Sequence, residues 1–144
     1  MFTIRLAAPG DPPALQRLDR LIPAQRLAEC VAQGRVFVAE EEGRVCGLLR
    51  WSDFWDEHPF MNLLYVEEAC RGRGAGRQLV SGWEEAMRRQ GHAFVLTSTQ
   101  ANEYAQHFYR HLGYRDIGGF ILPGEVLELV LLHGLSPEDE AKNA

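Results

Sequence analysis

The 144-residue chain predicts an α/β fold: a mixed, mostly antiparallel central sheet flanked by helices, in the order βααβββαβαββ. Three observations carry that expectation. Short apolar runs bounded by Gly, Pro and acidic turns mark strands. Stretches with apolar residues three and four apart mark helices between them. One strand also passes directly into a glycine-arginine segment that opens a helix, within Leu63 to Arg77. No internal repeat, linker or low-complexity tract divides the chain, so residues 1–135 are expected to form one domain and residues 136–144 a polar, frayed tail.

Phe2 to Leu6 reads as the first strand, broken by Ala8-Pro9-Gly10. Asp11 is placed to cap a helix whose first turn tolerates Pro12 and Pro13 and whose face carries Leu15, Leu18 and Ile22, with Pro23 as the stop. A second short helix shows Leu27, Cys30 and Val31 and ends at Gly34. Val36 to Glu40 and Val45 to Trp51 form a hairpin across Glu41-Glu42-Gly43-Arg44. Trp51 to Pro59 reads as a loop, and Phe60 to Val66 as a strand. The helix from Ala75 to Gln90 aligns Leu79, Val80, Trp83, Ala86 and Met87 and stops at Gly91. Gly82 inside it costs about 1 kcal/mol relative to alanine, which a tight packing contact would explain. Ala93 to Thr99 is the next strand, Asn102 begins a helix carrying Ala105, Phe108, Tyr109 and Leu112, and two last strands, Tyr114 to Leu122 and Val126 to His133, are joined through Pro123-Gly124.

Composition excludes several function classes. With 15 basic against 20 acidic residues the formal charge is −5, so general nucleic-acid affinity is not expected. Cys30, Cys46 and Cys70 are odd in number and widely spaced, without a metal-ligand pattern, which argues against a disulfide framework and against a metal and fits a reducing cytoplasm. The N-terminal stretch lacks a signal-peptide pattern and no apolar run reaches membrane-spanning length, so no membrane partner is expected.

The glycine-arginine segment points to an anion. Arg71, Arg73 and Arg77 crowd a helix N-terminus where the macrodipole is already positive, an arrangement that a bound phosphate would neutralise. Gly72, Gly74 and Gly76 leave amide N–H groups uncovered for it. A nucleotide P-loop requires Lys followed by Ser or Thr, but Arg77 is followed by Gln78. A dinucleotide fingerprint requires a third glycine where this chain has Arg77 or Leu79.

The pattern that does match is Arg-x-x-Gly-x-Gly, at Arg71, Gly74 and Gly76, accompanied downstream by Asn102-x-x-Ala105-x-x-Phe108-Tyr109-x-x-x-Gly113-Tyr114. Together these resemble the GCN5-related N-acetyltransferase (GNAT) family, and the resemblance runs from about Ile4 to Leu132 in element order. It implies the GNAT acyl-coenzyme A N-acyltransferase fold and acetyl-coenzyme A as acyl donor. It assigns the backbone of Leu64 and Val66 to the pantetheine arm and Arg71, Gly72, Arg73, Gly74, Ala75, Gly76 and Arg77 to the pyrophosphate. Asn102 would contact the cofactor arm, and Tyr109 would protonate the departing thiolate. Read as residues alone, Asn102 serves equally as a helix N-cap and Tyr109 as core. A phenol at its reference pKa of about 10 is loaded with its proton at neutral pH.

The chemistry implied is direct attack of an amine on the thioester, and the amine must lose a proton on the way. Candidate acceptors of that proton are Asp53, Asp56 and Glu57, with Glu67 and Glu68 more readily read as a solvated turn. Some family members place a glutamate base where this chain has Phe60, a departure that favours a water relay or a loop acid. Trp51, Asp53, Trp55, Asp56 and Glu57 combine aromatic faces with carboxylates and suit a small cationic amine, or else form an aromatic-anchored surface loop. The expected partners are that amine and, as frequently in the family, a second copy in a homodimer. Two other readings are a non-catalytic acyl-coenzyme A sensor and an acetyltransferase of protein N-termini or lysines.

Overall fold

The computed structural model describes residues 1–136, and the polar tail expected at 136–144 lies outside them apart from Ser136. The chain divides into two compact units, Met1–Ser52 with Asn62–Glu85, and Asp53–Met61 with Ala86 onward. The elements are β1 (Thr3–Leu6), α1 (Pro12–Leu18), α2 (Ala24–Ala32), β2 (Val36–Glu41), β3 (Arg44–Phe54), β4 (His58–Val66), a single 3-10 turn (Glu68–Cys70), α3 (Ala75–Arg89), β5 (Phe94–Gln100), α4 (Ala105–His111), β6 (Arg115–Phe120) and β7 (Glu128–Gly134). The seven strands are ordered β1-β2-β3-β4-β5-β7-β6. β1 with β2, β2 with β3, β5 with β7 and β6 with β7 are antiparallel, and β4 with β5 is parallel. The expected order of elements and the mixed, mostly antiparallel sheet are both found.

In the first unit the amphipathic faces of α1 and α2 cover the sheet. Leu15, Leu18, Leu27, Cys30 and Val31 pack on Val36, Val38, Val45 and Leu48, with Ala7, Ile22 and Leu63 at the margin. α3 supplies buried Leu79, Val80 and Trp83, the last with its ring centroid 6.4 Å from that of Trp51. Gly82 has the reason its position suggested: a Cβ there would lie 3.1 Å from the Cγ2 of Ile4. Gly47 on β3 is held just as closely, since a Cβ would lie 3.1 Å from the carbonyl oxygen of Tyr65 and 3.4 Å from Leu79. All three cysteines are buried free thiols, and burial pushes Cys46 up to about 11.

Four local expectations need correction. Asp11 sits at the N-cap position of α1 but makes no side-chain cap. Its carboxylate instead accepts from the Ala8 amide at 2.7 Å and from both terminal nitrogens of Arg5, which hold its pKa below the usual carboxylate value. α1 ends at Leu18 rather than running to Ile22. Asp19 turns extended there, and its buried carboxylate accepts from Arg50 Nε at 2.7 Å and from the Leu21 amide at 3.1 Å. The extended backbone of Asp19 ends the helix, and the Leu21 amide bonds the Asp19 carboxylate.

The supposed loop from Trp51 to Pro59 is for the most part strand. β3 continues to Phe54 and β4 starts at His58, leaving Trp55, Asp56 and Glu57 as a tight turn. Trp55 and Asp56 both have positive φ, 58° and 60°, the backbone that two-residue hairpins prefer. That preference usually announces itself through Gly or Asn, and neither is present.

In the second unit β7 pairs with β5 from Phe94↔Gly134 to Gln100↔Glu128, and β6 adds to its other side. The register of β6 shifts between Asp116 and Gly118, a bulge at Ile117 just before the glycine pair. α4 begins at Ala105, three residues later than expected, so Asn102 is an exposed turn residue rather than an N-cap. Gln106 holds that turn by donating to the carbonyls of Ala101 at 2.7 Å and Glu103 at 2.8 Å.

Candidate active site

The glycine-arginine segment belongs to the first unit. Val66 ends β4, the 3-10 turn follows, and Gly72 and Gly74 take φ values of +76° and +91° before α3 opens at Ala75. Glycine is needed here for its left-handed backbone. A Cβ at Gly72 would meet nothing within 4 Å, and one at Gly74 would meet only the Gln78 amide nitrogen at 3.7 Å. The space over this turn is therefore open to a ligand, and α3, of 15 residues, presents its N-terminus beside it.

The three arginines of the segment are not equivalent. Arg71 Nε donates to the Val66 carbonyl at 2.8 Å, and its guanidinium lies 5.4 Å from the Tyr65 ring centroid. Arg73 is turned away to Glu41, donating at 2.8 and 2.9 Å, and this pairing lowers the Glu41 pKa and raises that of Arg73. Arg77 is exposed and has no partner among the described residues. Sequence spacing had suggested three equal anion ligands; the folded chain leaves Arg77 free and commits Arg73 to a carboxylate.

The candidate acid belongs to the second unit. Tyr109 lies on α4 with 7% of its surface exposed, between Phe108 at 5.4 Å and Tyr114 at 5.7 Å, centroid to centroid. Thr97 lies beside its hydroxyl, and the Thr97 hydroxyl itself donates to the Met61 carbonyl at 3.0 Å. Burial pushes the phenol up to about 12 against the opposing effect of Thr97. Tyr109 is thus not near its reference pKa, as the sequence suggested, but proton-loaded across all neutral conditions. The place of Thr97 beside the Tyr109 hydroxyl carries no sequence signal. Thr99, two residues on, keeps a buried Oγ1 without a hydrogen-bond partner.

β4 and β5 pair at Phe60↔Leu96 and Met61↔Thr97, while β4 runs on to Val66 and β5 to Gln100. Leu64 and Val66 lie beyond the last of those pairs.

The acidic-aromatic stretch is dispersed by the hairpin. Trp51 is buried, with the Arg35 guanidinium 4.2 Å from its ring centroid, and forms core rather than an open wall. Asp53 is half-buried near the end of β3, and Trp55, Asp56 and Glu57 are exposed in the turn. Phe54 packs on Trp55 at 4.8 Å and on Phe60 at 6.0 Å, and the Glu57 carboxylate lies 3.7 Å from His58 Nε2. Among the described residues no group of three or more His, Cys, Asp or Glu is placed to hold a metal ion, and no helix is long and apolar enough to cross a membrane.

Comparison with known proteins agrees with this architecture. A comparison with curated protein sequences returned no match. Among solved structures the chain is similar to Ard1 from Thermoplasma volcanium, with a TM-score of 0.84 at 17% identity, covering 94% of this chain and 98% of that one. It is similar also to YncA, described as a putative acetyltransferase from Salmonella typhimurium with its cofactor acetyl-CoA, with a TM-score of 0.78 at 22% identity over 94% and 95% of the two chains. The ribosomal-protein-S18-alanine N-acetyltransferase from Escherichia coli gives a TM-score of 0.76 at 17% identity over 94% and 95%. At these identities the likeness is one of fold. The family model described as "Acetyltransferase (GNAT) family" matches residues 6–114, a span that contains both the glycine turn and Tyr109. This chain belongs to the GNAT family of acetyltransferases.

Proposed function

We propose that the protein transfers an acetyl group from acetyl-coenzyme A to a small primary amine by direct attack, within a single domain spanning residues 1–135. The observation that carries the proposal is the open turn at Gly72 and Gly74 delivered onto the N-terminus of α3, with exposed Arg77 in the first turn of that helix. That is a built anion site of the kind a pyrophosphate fills. The YncA structure that shares the fold is described with acetyl-CoA, which supports the same donor here.

Bound there, acetyl-coenzyme A supplies an activated thioester. The turn amides from Gly72 to Gly76 and Arg77 hold its pyrophosphate, Arg71 assists, and the backbone of Leu64 and Val66 receives the amides of its arm. Asn102, exposed before α4, contacts the same arm. Tyr109 would present its hydroxyl proton as a donor to the sulfur. With a pKa near 12 it holds its proton through the step, so its contribution is stabilisation of the thiolate more than full proton transfer. The proton of the attacking ammonium leaves through solvent, with the exposed carboxylates of Asp56 and Glu57 as its acceptors.

Two structures of the same fold are described as alanine N-acetyltransferases of ribosomal proteins, which motivates a protein N-terminus as the second reading of the acceptor. The test is free-thiol release from acetyl-coenzyme A with mass identification of the product, over polyamines, aminoglycosides, amino acids and alanine-starting peptides. Acetylation of a small amine supports the proposal; turnover of peptides alone moves the acceptor to the second reading, and no turnover with any of them contradicts transferase activity on this substrate range.

A further inference from the structure

The first unit contains a cavity that the glycine turn does not account for. It has a volume of about 440 Å³ and is lined by Arg17, Leu18, Arg20, Leu21, Leu63 and Tyr65. Its walls are α1, the segment after α1, and the outer half of β4. Leu63 and Tyr65 flank Leu64, so one wall of the cavity is the same stretch of strand that offers its backbone to the cofactor arm in the proposal above.

The charge of the lining is one-sided. No acidic side chain lines it, and two arginines do. Arg17 is shared, since it bonds Glu67, but Glu67 is also claimed by Arg44 at 3.1 Å. One carboxylate thus answers two guanidiniums. Arg20 has no partner among the described residues. Its backbone is held on both sides, because Asp19 just before it is locked by the buried Arg50 bond and accepts a bond from the Leu21 amide just after it. The segment bearing Arg20 and Leu21 is pinned from below while the Arg20 guanidinium is exposed, with water to displace and no carboxylate to pair with among the described residues. Leu18, Leu21, Leu63 and the Tyr65 ring supply an apolar body to the same space. Asp56 and Glu57, on which a cationic acceptor would depend, are not part of it.

We propose that this cavity takes an amine bearing a carboxylate on an apolar body, an amino-acid-like acceptor, and that Arg20 receives the carboxylate. The inference rests on the acetyltransferase reading. A guanidinium pairs with a carboxylate through two parallel N–H donors, and a cationic or uncharged amine would leave it without that partner. Selectivity follows from the loss of the pair as well as from its gain.

The test uses matched acceptors that differ only in the carboxylate: L-phenylalanine against phenethylamine and L-leucine against isoamylamine, with spermidine as the cationic probe. Thiol release is read for the unaltered protein and for Arg20→Ala, Arg20→Glu and Arg20→Lys, and acetyl-coenzyme A binding is titrated separately for each. The expected result is a kcat/KM at least about tenfold higher for the carboxylate member of each pair. That ratio falls toward one in Arg20→Ala, reverses in Arg20→Glu and is partly kept in Arg20→Lys, with acetyl-coenzyme A affinity unchanged throughout. Preference for phenethylamine or spermidine, or a ratio indifferent to Arg20, overturns the anionic acceptor while leaving the donor reading intact. Loss of acetyl-coenzyme A binding by the unaltered protein overturns the donor reading itself, and the inference with it.

Discussion

Arg73 donates from both terminal nitrogens to the two carboxylate oxygens of Glu41, at 2.8 and 2.9 Å. The donor turn therefore carries less free positive charge than its sequence shows. An arginine already paired has less to give a phosphate than one that is not, so Arg77→Ala should weaken acetyl-coenzyme A binding by about tenfold or more. Arg73→Ala should cost clearly less, and Glu41→Gln should tighten binding a few-fold by releasing Arg73. Calorimetric titration at fixed ionic strength measures all three, and equal losses at Arg73 and Arg77 would refute the distinction.

In the proposed reaction Tyr109 acts on the developing thiolate and not on the resting cofactor. Tyr109→Phe should lower kcat by about ten- to a hundredfold while acetyl-coenzyme A affinity is unchanged. Because burial raises its pKa to about 12, no limb of the pH–rate profile below about pH 11 should belong to Tyr109. A basic limb near 10 that vanishes in the phenylalanine variant would contradict the raised value.

The same shift has a consequence for stability. Tyr109 ionises near 10 when unfolded and near 12 when folded, so its contribution is complete below pH 10 and is lost as pH rises through 12. The loss amounts to about 2–3 kcal/mol. Tyr109→Phe should therefore flatten the alkaline fall of stability between those values, as read by urea unfolding at a series of pH values; parallel curves for the two proteins would argue against it.

Asp19 and Arg50 are the buried ion pair of the first unit, with side chains 0% and 9% exposed. Asp19→Ala leaves a guanidinium in the core without a counter-charge, which costs about 3–5 kcal/mol. A fall in Tm of about 10 °C or more is expected by thermal unfolding. A change of a degree or two would mean that Arg50 finds solvent or another partner.

Most of the architecture was legible in the sequence, because the cues for it are local. Leu79, Val80, Trp83 and Met87 keep helical spacing, Glu42-Gly43 turns a hairpin, and the Arg71–Gly76 pattern sits between a strand and a helix. What failed depended on partners far along the chain. Asp19 ends α1 early because Arg50 holds it, and Gln106 keeps Asn102 in a turn. The Trp55-Asp56 turn takes left-handed backbone with residues that rarely announce it. The glycine-arginine turn was legible because its pattern is encoded within seven consecutive positions. Thr97, Glu41 and Arg20 were not singled out as functional, since an exposed arginine or a strand threonine acquires meaning only from what the fold brings beside it.

The central claim is that the turn at Gly72 and Gly74 with Arg77 is an acetyl-coenzyme A site. Isothermal titration of the full chain with acetyl-coenzyme A tests it most directly. The account predicts saturable binding of one cofactor per chain, weakened by Arg77→Ala, and no binding at millimolar acetyl-coenzyme A would contradict it.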